Sequence, residues 1–210
     1  MSYFAIIGDL VRSRKMADRA AVQVRFRKAV EDVNCGAGAR LTVPLKLTAG
    51  DEVQAITRQP EALVEIMVKL SDALVPETFA WGWGYGELTT DLVEDVALLD
   101  GPCLHGAREA VESAKKNSSW LEISGFTEPS AQVLSALMNL VGAIRSGWTE
   151  RQAEVVRASR GRLQVETAEE LGISPSTVSR TLSAAHASRV FAGEEAARAF
   201  LRSPMQGRGP

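Results

Sequence analysis

The sequence predicts an α+β domain, in which helices pack on a mixed sheet, followed by a smaller all-α domain. The first observation behind this class is the order of elements up to residue 127: strand, helix, hairpin, helix, strand, helix, strand. The second is that the later segments have the apolar spacing of helices. We therefore expect an α+β domain at residues 1–127, a connector helix at 128–147, a helical domain at 148–202 and a frayed tail at 203–210.

Each element of the α+β domain is predicted from its apolar spacing. Runs or alternation of apolar residues predict strands, and recurrence every three or four residues predicts helices. In chain order, these are an apolar strand at residues 3–8, a helix at 17–33, an alternating strand at 40–47, its hairpin partner at 53–57, a helix opened by proline at 60–75, a glycine-studded strand at 79–88, a helix at 101–116 and a last strand at 120–123.

A pair of tryptophans on one predicted strand and a pair of lysines on one predicted helix both have structural explanations. Trp81 and Trp83 are two residues apart, so they share one sheet face and belong to the core or to a dimer interface. The glycines between and beside them favour the close approach of a partner strand or helix. Lys115 and Lys116 end their helix, where positive charge complements the helix dipole, and no ligand is needed to explain them.

The composition is that of an ordinary globular protein. Of the 210 residues, 45% are hydrophobic and 24% are charged, and the formal net charge is −2, so any nucleic-acid contact must be local. Cys35 and Cys103 lack metal-ligand spacing and there are only two histidines, which argues against a zinc site. The sequence begins without the pattern of a signal peptide and has no apolar run of membrane-spanning length. We expect a cytoplasmic protein with no membrane partner.

The connector helix has a strong apolar side. It covers residues 129–144 and ends at Gly147. The same side could instead form a homodimer contact. The apolar residues along it are Val133, Leu134, Leu137, Leu140, Val141 and Ile144.

Acidic residues mark a candidate metal site. Asp9 ends the first strand, and Asp51 and Glu52 lie at the tip of the hairpin. If the two strands are neighbours, these carboxylates converge at one edge of the sheet and can hold Mg²⁺. The alternative is that Asp51 and Glu52 were selected for the turn, and that Asp9 caps a helix.

This arrangement resembles the palm domain of class III nucleotide cyclases and diguanylate cyclases, within a ferredoxin-like fold. The segment from Lys46 to Glu52, KLTAGDE, resembles their K-x-x-G-D and G-G-D-E-F motifs. The segment GPCLHGAR from Gly101 resembles the cyclase G-x-x-V-N-x-A-x-R motif with one residue deleted. The resemblance implies nucleotide binding by His105 and Arg108. Arg12 and the cations that follow it lie just after Asp9, where they could meet nucleotide phosphates; a solvated loop is the alternative. Histidine in place of the catalytic asparagine, and a displaced lysine, count against ordinary cyclase activity.

Residues 167–182, TAEELGISPSTVSRTL, have the proportions of a DNA-binding helix-turn-helix. Gly172 lies where the first helix must stop, Ser174 can cap the next helix, and Pro175 suits its first turn. The apolar residues between the helices leave four polar side chains pointing outward. The residues predicted to contact DNA are Ser174, Ser176, Thr177, Ser179 and Arg180. A plain helical hairpin docked on the rest of the protein is the alternative.

Together with residues 148–156, WTERQAEVV, this motif resembles the helix-turn-helix of sigma-factor region 4 and LuxR-type proteins. In those families the helix at residues 175–185 would read DNA. Arg180 is the only basic residue between residues 164 and 187, so we expect weak binding that dimerisation strengthens. Further phosphate contacts could come from Arg151, Arg157, Arg160, Arg162 and Arg189 if they share its face.

From end to end the chain is similar to the SatD family. The similarity rests on the opening IIGDLVRSR, the AGDEVQ hairpin, the helix beginning DGP and the C-terminal helix-turn-helix. The combined expectation is a dimeric DNA-binding regulator whose first domain senses a nucleotide or phosphate ligand with Mg²⁺. The alternatives are a metal-dependent nucleotide cyclase or nucleotidyltransferase, and an interaction module that has lost its ligand.

Overall fold

The computed structural model describes residues 1–11, 13, 18–37, 40–48 and 50–203. Its sheet has five strands in the order β2-β3-β1-β4-β5. Strands β1, β2, β3 and β4 pair antiparallel, and β5 lies parallel to β4, so the predicted mixed sheet is confirmed. The strands are β1 (Ser2–Leu10), β2 (Leu41–Thr48), β3 (Glu52–Thr57), β4 (Phe79–Glu87) and β5 (Leu121–Ser124).

Three helices cover the two faces of this sheet. Helices α1 (Arg19–Ala37) and α2 (Glu61–Ala73) share one apolar core with the sheet. Trp81 and Trp83 are fully buried in that core, which decides between the two interpretations of this pair. Helix α3 (Pro102–Asn117) packs on the other face.

The glycines of β4 determine how closely α3 approaches the sheet. A Cβ atom at Gly82 would lie 2.2 Å from the carbonyl oxygen of Ala107, and one at Gly84 would lie 2.0 Å from that of Cys103. Both separations are far below van der Waals contact, so only glycine permits this packing. The predicted close approach of a partner element is confirmed, and it holds α3 directly over β4.

The remaining helices form the C-terminal part of the molecule. In chain order they are α4 (Ser130–Ser146), α5 (Glu150–Ala158), α6 (Gln164–Leu171), α7 (Pro175–Ala184) and α8 (Ala187–Arg202). Helix α8 returns to pack on α2 and α4, and its Ala197 and Leu201 join the main apolar core. Among the described residues no helix is long and apolar enough to cross a membrane. The predicted tail lies outside the described residues beyond Ser203.

A buried group of charges joins the C-terminal helices to the sheet domain. Arg145 of α4 bonds Asp72 of α2 at 2.6 Å and Glu194 of α8 at 3.5 Å. Arg160 bonds the same two carboxylates, with 2.6 Å to Glu194. The side chain of Glu194 is only 1% exposed. Asp72 therefore has two cationic partners and Glu194 has three, since Arg198 lies 3.9 Å from it, in a largely buried environment.

Candidate functional site

The acidic residues predicted from the sequence converge at one edge of the sheet. Asp9 and Glu52 are directly opposed in the antiparallel β1–β3 pair, so their side chains lie on the same face. That face is the one covered by α3, because Ala5 and Ile7 of the same strand pack with α3 residues. Asp51 lies in the adjoining turn, where it accepts a hydrogen bond of 2.5 Å from Ser13. The predicted adjacency of the two strands is confirmed.

Helix α3 places two cations over these carboxylates. Arg108 donates to both carboxylate oxygens of Glu52, with 2.8 Å between Nη2 and Oε1. The Nζ atom of Lys115 lies 2.9 Å from Asp9 and 2.8 Å from Glu112. Residues 108, 112 and 115 share one helix face because their spacings are four and three. We call Asp9, Glu52, Arg108 and Lys115 the edge cluster.

Burial and pairing act against each other on the acids of the edge cluster. Burial raises the pKa of Asp9 above its ordinary value of 3.8, although the hydrogen bond and the charge of Lys115 oppose the rise. Burial acts in the same direction on Glu52, but the hydrogen bonds that it accepts, first from Arg108, lower its pKa below the ordinary 4.5. In return, Glu52 raises the pKa of Arg108. Pairing thus outweighs burial for Glu52 and Arg108, whereas burial outweighs pairing for Asp9.

Another predicted nucleotide contact, His105, is not brought into the edge cluster. His105 lies in the first turn of α3, and its Nε2 atom lies 2.6 Å from Oδ1 of Asp100 with the side chain 64% exposed. Arg12 lies outside the described residues. Lys115 was not predicted as a site residue, because its position at a helix end is sufficient to explain it. The sequence signal that could have identified Lys115 is its position seven residues after Arg108, which places both residues on one face of a helix.

The carboxylates of Asp9 and Asp51 are the candidate ligands for the magnesium ion predicted from the sequence. Asp9 feels the negative charges of Asp51 and Glu52, and these charges add to the rise in its pKa, so a cation here would relieve repulsion. Within the part of the chain that the structure describes, no group of three or more His, Cys, Asp or Glu side chains is arranged to hold a metal ion. Protein-bound Mg²⁺ often uses only one or two carboxylates and takes further oxygens from a phosphate ligand.

A cleft of about 1190 Å³ begins beside these acids and runs between the sheet domain and helices α4 and α5. Glu52 and Arg108 do not line it, so the edge cluster borders the cleft on one side only. At the sheet end it is lined by Asp9, Asp51 and Lys115, and at the helical end by Trp148, Glu150 and Ala153.

The turn between α6 and α7 has the predicted local geometry. Gly172 ends α6 in the left-handed conformation at φ 63°, and Ser174 caps α7 by accepting the backbone amide of Thr177 at 3.1 Å. Pro175 occupies the first turn of α7. Val178 is fully buried against Val155 and Ala168. These contacts fix the angle at which α7 leaves the turn.

The polar residues of α7 differ in their freedom to bind a partner. The hydroxyl groups of Ser174 and Thr177 bond each other at 2.8 Å and belong to the helix cap. Ser176, Ser179 and Arg180 are exposed. Of these, Ser176 also lies 2.9 Å from the capping hydroxyl, which leaves Ser179 and Arg180 as the freest side chains.

One candidate phosphate contact already has partners inside the molecule. Arg160 pairs with Asp72 and Glu194, and its side chain is 24% exposed. Arg151 and Arg162 are exposed but pair with Glu154 and Glu170. Arg157 and Arg189 are exposed on the surface, and Arg189 bonds His186 at 3.0 Å.

Two solved structures align with this chain, both at low sequence identity and low TM-score. A bacterial light-regulated adenylyl cyclase aligns with 58% of this chain and 74% of its own, at 12% identity and a TM-score of 0.45. A regulator of polyketide synthase expression from Bifidobacterium adolescentis aligns with 97% of this chain and 87% of its own, at 17% identity and a TM-score of 0.24. At these TM-scores neither supports a conclusion about this chain.

No curated protein matches the sequence. The model of the SatD family, by contrast, matches residues 3–200 and so covers nearly the whole chain. This protein therefore belongs to the SatD family.

Proposed function

We propose that this protein is a DNA-binding regulator whose sheet domain, which we take to be nucleotide-cyclase-like, binds a nucleotide or phosphate ligand with Mg²⁺. The observation that carries the proposal is the geometry from α6 to α7. Gly172 and Ser174 fix a tight turn, Val178 anchors α7 from below, and Arg180 stands free on the opposite side. A helix held in this way by its buried side and exposed along its N-terminal half suits insertion into a major groove.

Affinity for DNA rests on few cations. On α7 Arg180 is the only arginine or lysine, and Arg157 and Arg189 lie on the flanking helices. A single domain with so few phosphate contacts binds weakly and with a shallow salt dependence. Two copies that bind adjacent half-sites would multiply this affinity, so a homodimer belongs to the proposal.

Replacement of Arg180 by Ala tests the DNA contact. The control is Arg27→Ala on α1, because both arginines are exposed on helices and each donates from Nε to the carbonyl four residues earlier at 3.4 Å. We expect Arg180→Ala to weaken binding to genomic DNA fragments in a gel shift by about tenfold or more. Arg27→Ala should bind as the wild type does. Equal binding by both variants and the wild type would overturn the assignment of α7.

Ligand binding is proposed to exchange partners within the edge cluster. Without ligand, Lys115 neutralises Asp9 and Arg108 neutralises Glu52. A magnesium ion bound by Asp9 and Asp51 would replace Lys115 as the partner of Asp9. The phosphate groups would then attract the ammonium group that Lys115 has freed. Glu52 remains the partner that orients Arg108. We expect Asp51→Asn to lose the rise in melting temperature that MgGTP or MgATP gives the wild type.

A second candidate is a metal-dependent nucleotidyltransferase, which the opposed pair of Asp9 and Glu52 favours. Bound metal would supply charge neutralisation of the phosphates. This candidate requires conversion of a ribonucleoside triphosphate by the purified protein with Mg²⁺ or Mn²⁺, detected by chromatography. Asp9→Asn should abolish the product while the circular dichroism spectrum stays unchanged. Absence of any product would leave the regulator as the function.

A further inference from the structure

The cleft continues from the acids to the helices that carry α7. Its sheet end contains Asp9 and Asp51, and its helical end contains Trp148. Its volume of about 1190 Å³ is enough for a complete nucleotide, since small-molecule sites commonly measure about 300–1,000 Å³. The metal and the phosphates would fill only the end beside the acids. The rest of the cleft is therefore available to the other part of the same ligand.

Helix α5 is the wall between the cleft and α7. Its Glu150 and Ala153 line the cleft. Its Val155 packs on Val178 of α7, and Val156 packs on Ala185, the residue that ends α7. A ligand in the cleft therefore lies one helix thickness away from α7.

Trp148 provides a direct link between the cleft and α7. Its indole lines the cleft, and its Nε1 atom donates to the carbonyl oxygen of Ala185 at 2.7 Å. The ring also lies 5.0 Å from the guanidinium of Arg145, which in turn bonds Asp72 and Glu194. Displacement of Trp148 would disturb the end of α7 and the charges that hold α8.

We propose that a nucleoside triphosphate spans the cleft, with its metal-bound phosphates at Asp9 and Asp51 and its base beside Trp148. Occupancy then shifts Trp148 and α5, and through the bond to Ala185 it changes the position of α7 and its affinity for DNA. This inference rests on the proposed function, because it assigns the remainder of the same ligand. An aromatic base suits this end, since an indole face stacks on planar rings.

A substitution that fills part of the cleft tests whether the base of the nucleotide lies there. Ala143 is exposed on α4 and lines the cleft, so Ala143→Phe would obstruct it without entering the core. The matched control is Ala136→Phe, on the same helix and exposed, but away from the cleft. We expect the Kd for MgGTP or MgATP, measured by calorimetry on the full chain, to rise about tenfold or more in Ala143→Phe, a loss of at least ~1.4 kcal/mol. Ala136→Phe should match the wild type.

Trp148→Phe tests the link to α7. Phenylalanine keeps an aromatic ring in the cleft but removes the donor to Ala185. Because Trp148 also lies beside the proposed base, MgGTP or MgATP is added at a concentration that calorimetry shows to saturate both proteins. At saturation the affinity of this variant for DNA should no longer change on addition of the nucleotide, whereas that of the wild type should change. A wild-type DNA response in Trp148→Phe would overturn the proposed link.

The outcomes separate this inference from the proposed function. If Asp51→Asn loses nucleotide binding while Ala143→Phe keeps it, the base does not lie in the helical end of the cleft, and the inference fails although the proposed function stands. If the wild type binds no triphosphate with Mg²⁺, both the inference and the proposed sensing fail. Loss of DNA binding in Arg180→Ala would still support the DNA contact in that case.

Discussion

The molecule contains two groups of two acids and two cations, and they differ in surroundings. The edge cluster of Asp9, Glu52, Arg108 and Lys115 lies at the border of the sheet, with the arginine side chain 44% exposed and the lysine 32% exposed. The second group, formed by Asp72, Glu194, Arg145 and Arg160, is enclosed by α2, α4 and α8, and three of its side chains are no more than 7% exposed. We call it the buried network.

This difference in exposure determines which charged groups can change partners and which cannot. Water and ions can stabilise Arg108 and Lys115 when these cations leave their partners at the sheet border, although the side chain of Glu52 is itself only 9% exposed. The edge cluster can therefore trade partners with a ligand through its cations. A charge that loses its partner in the buried network has no such compensation. We therefore infer that the same residue types bind a ligand in one place and hold helices together in the other.

The largest effect is expected from Glu194→Gln, which tests whether the buried network holds the helices together. The substitution removes the negative charge that three arginines share, and it leaves the guanidinium groups of Arg145 and Arg160 undercompensated in the buried network. We expect the free energy of unfolding in urea to fall by about 3–5 kcal/mol. The adjacent Glu195→Gln is the control, because Glu195 is 58% exposed on the same helix and should leave stability unchanged within error. Equal stability of both variants would show that the buried network is not structural.

A smaller effect is expected from Glu52→Gln in the edge cluster. Arg108 then loses a carboxylate partner but retains access to water, so the cost at neutral pH should be about 1 kcal/mol. The pKa of Glu52 is lowered in the folded protein, because its hydrogen bonds outweigh burial. Its contribution to stability is thus present above the ordinary pKa of 4.5 and is lost as the pH falls through the folded value.

The pH dependence provides the measurement for that prediction. Urea unfolding of wild type and Glu52→Gln should show a stability difference that is constant near neutral pH and shrinks as the pH falls below about 4.5. A difference that stays constant down to the acid limit of folding would mean that Glu52 contributes through shape rather than charge.

The contrast also shows which parts of the molecule could be predicted from the sequence. Apolar alternation and turn residues located the hairpin and the first strand, and these in turn brought Asp9 next to Glu52. Such signals are local, because they depend on residues a few positions apart. Arg160 was mistaken for a surface cation because its partner Asp72 lies 88 residues away, and no local pattern reports a pair of that separation.

The smallest expected effect concerns Lys115. Stabilisation by the helix dipole alone and stabilisation by an ion pair predict different losses of unfolding free energy for its replacement. Both Lys115 and Lys116 lie in the last turn of α3, so removal of either weakens the same interaction with the helix dipole. Only Lys115 also pairs with Asp9. We expect Lys115→Ala to cost about 0.5–1 kcal/mol more than Lys116→Ala in urea unfolding at low salt.

The same pair of variants tests whether the edge cluster exchanges partners. Loss of Lys115 leaves Asp9 partly buried beside the negative charges of Asp51 and Glu52, so a magnesium ion would meet less competition and relieve more repulsion. The rise in melting temperature on addition of MgCl₂ should therefore be larger in Lys115→Ala than in Lys116→Ala. An equal rise in both variants would mean that Lys115 does not occupy the position of a cation ligand, and the comparison with the buried network would then rest on exposure alone.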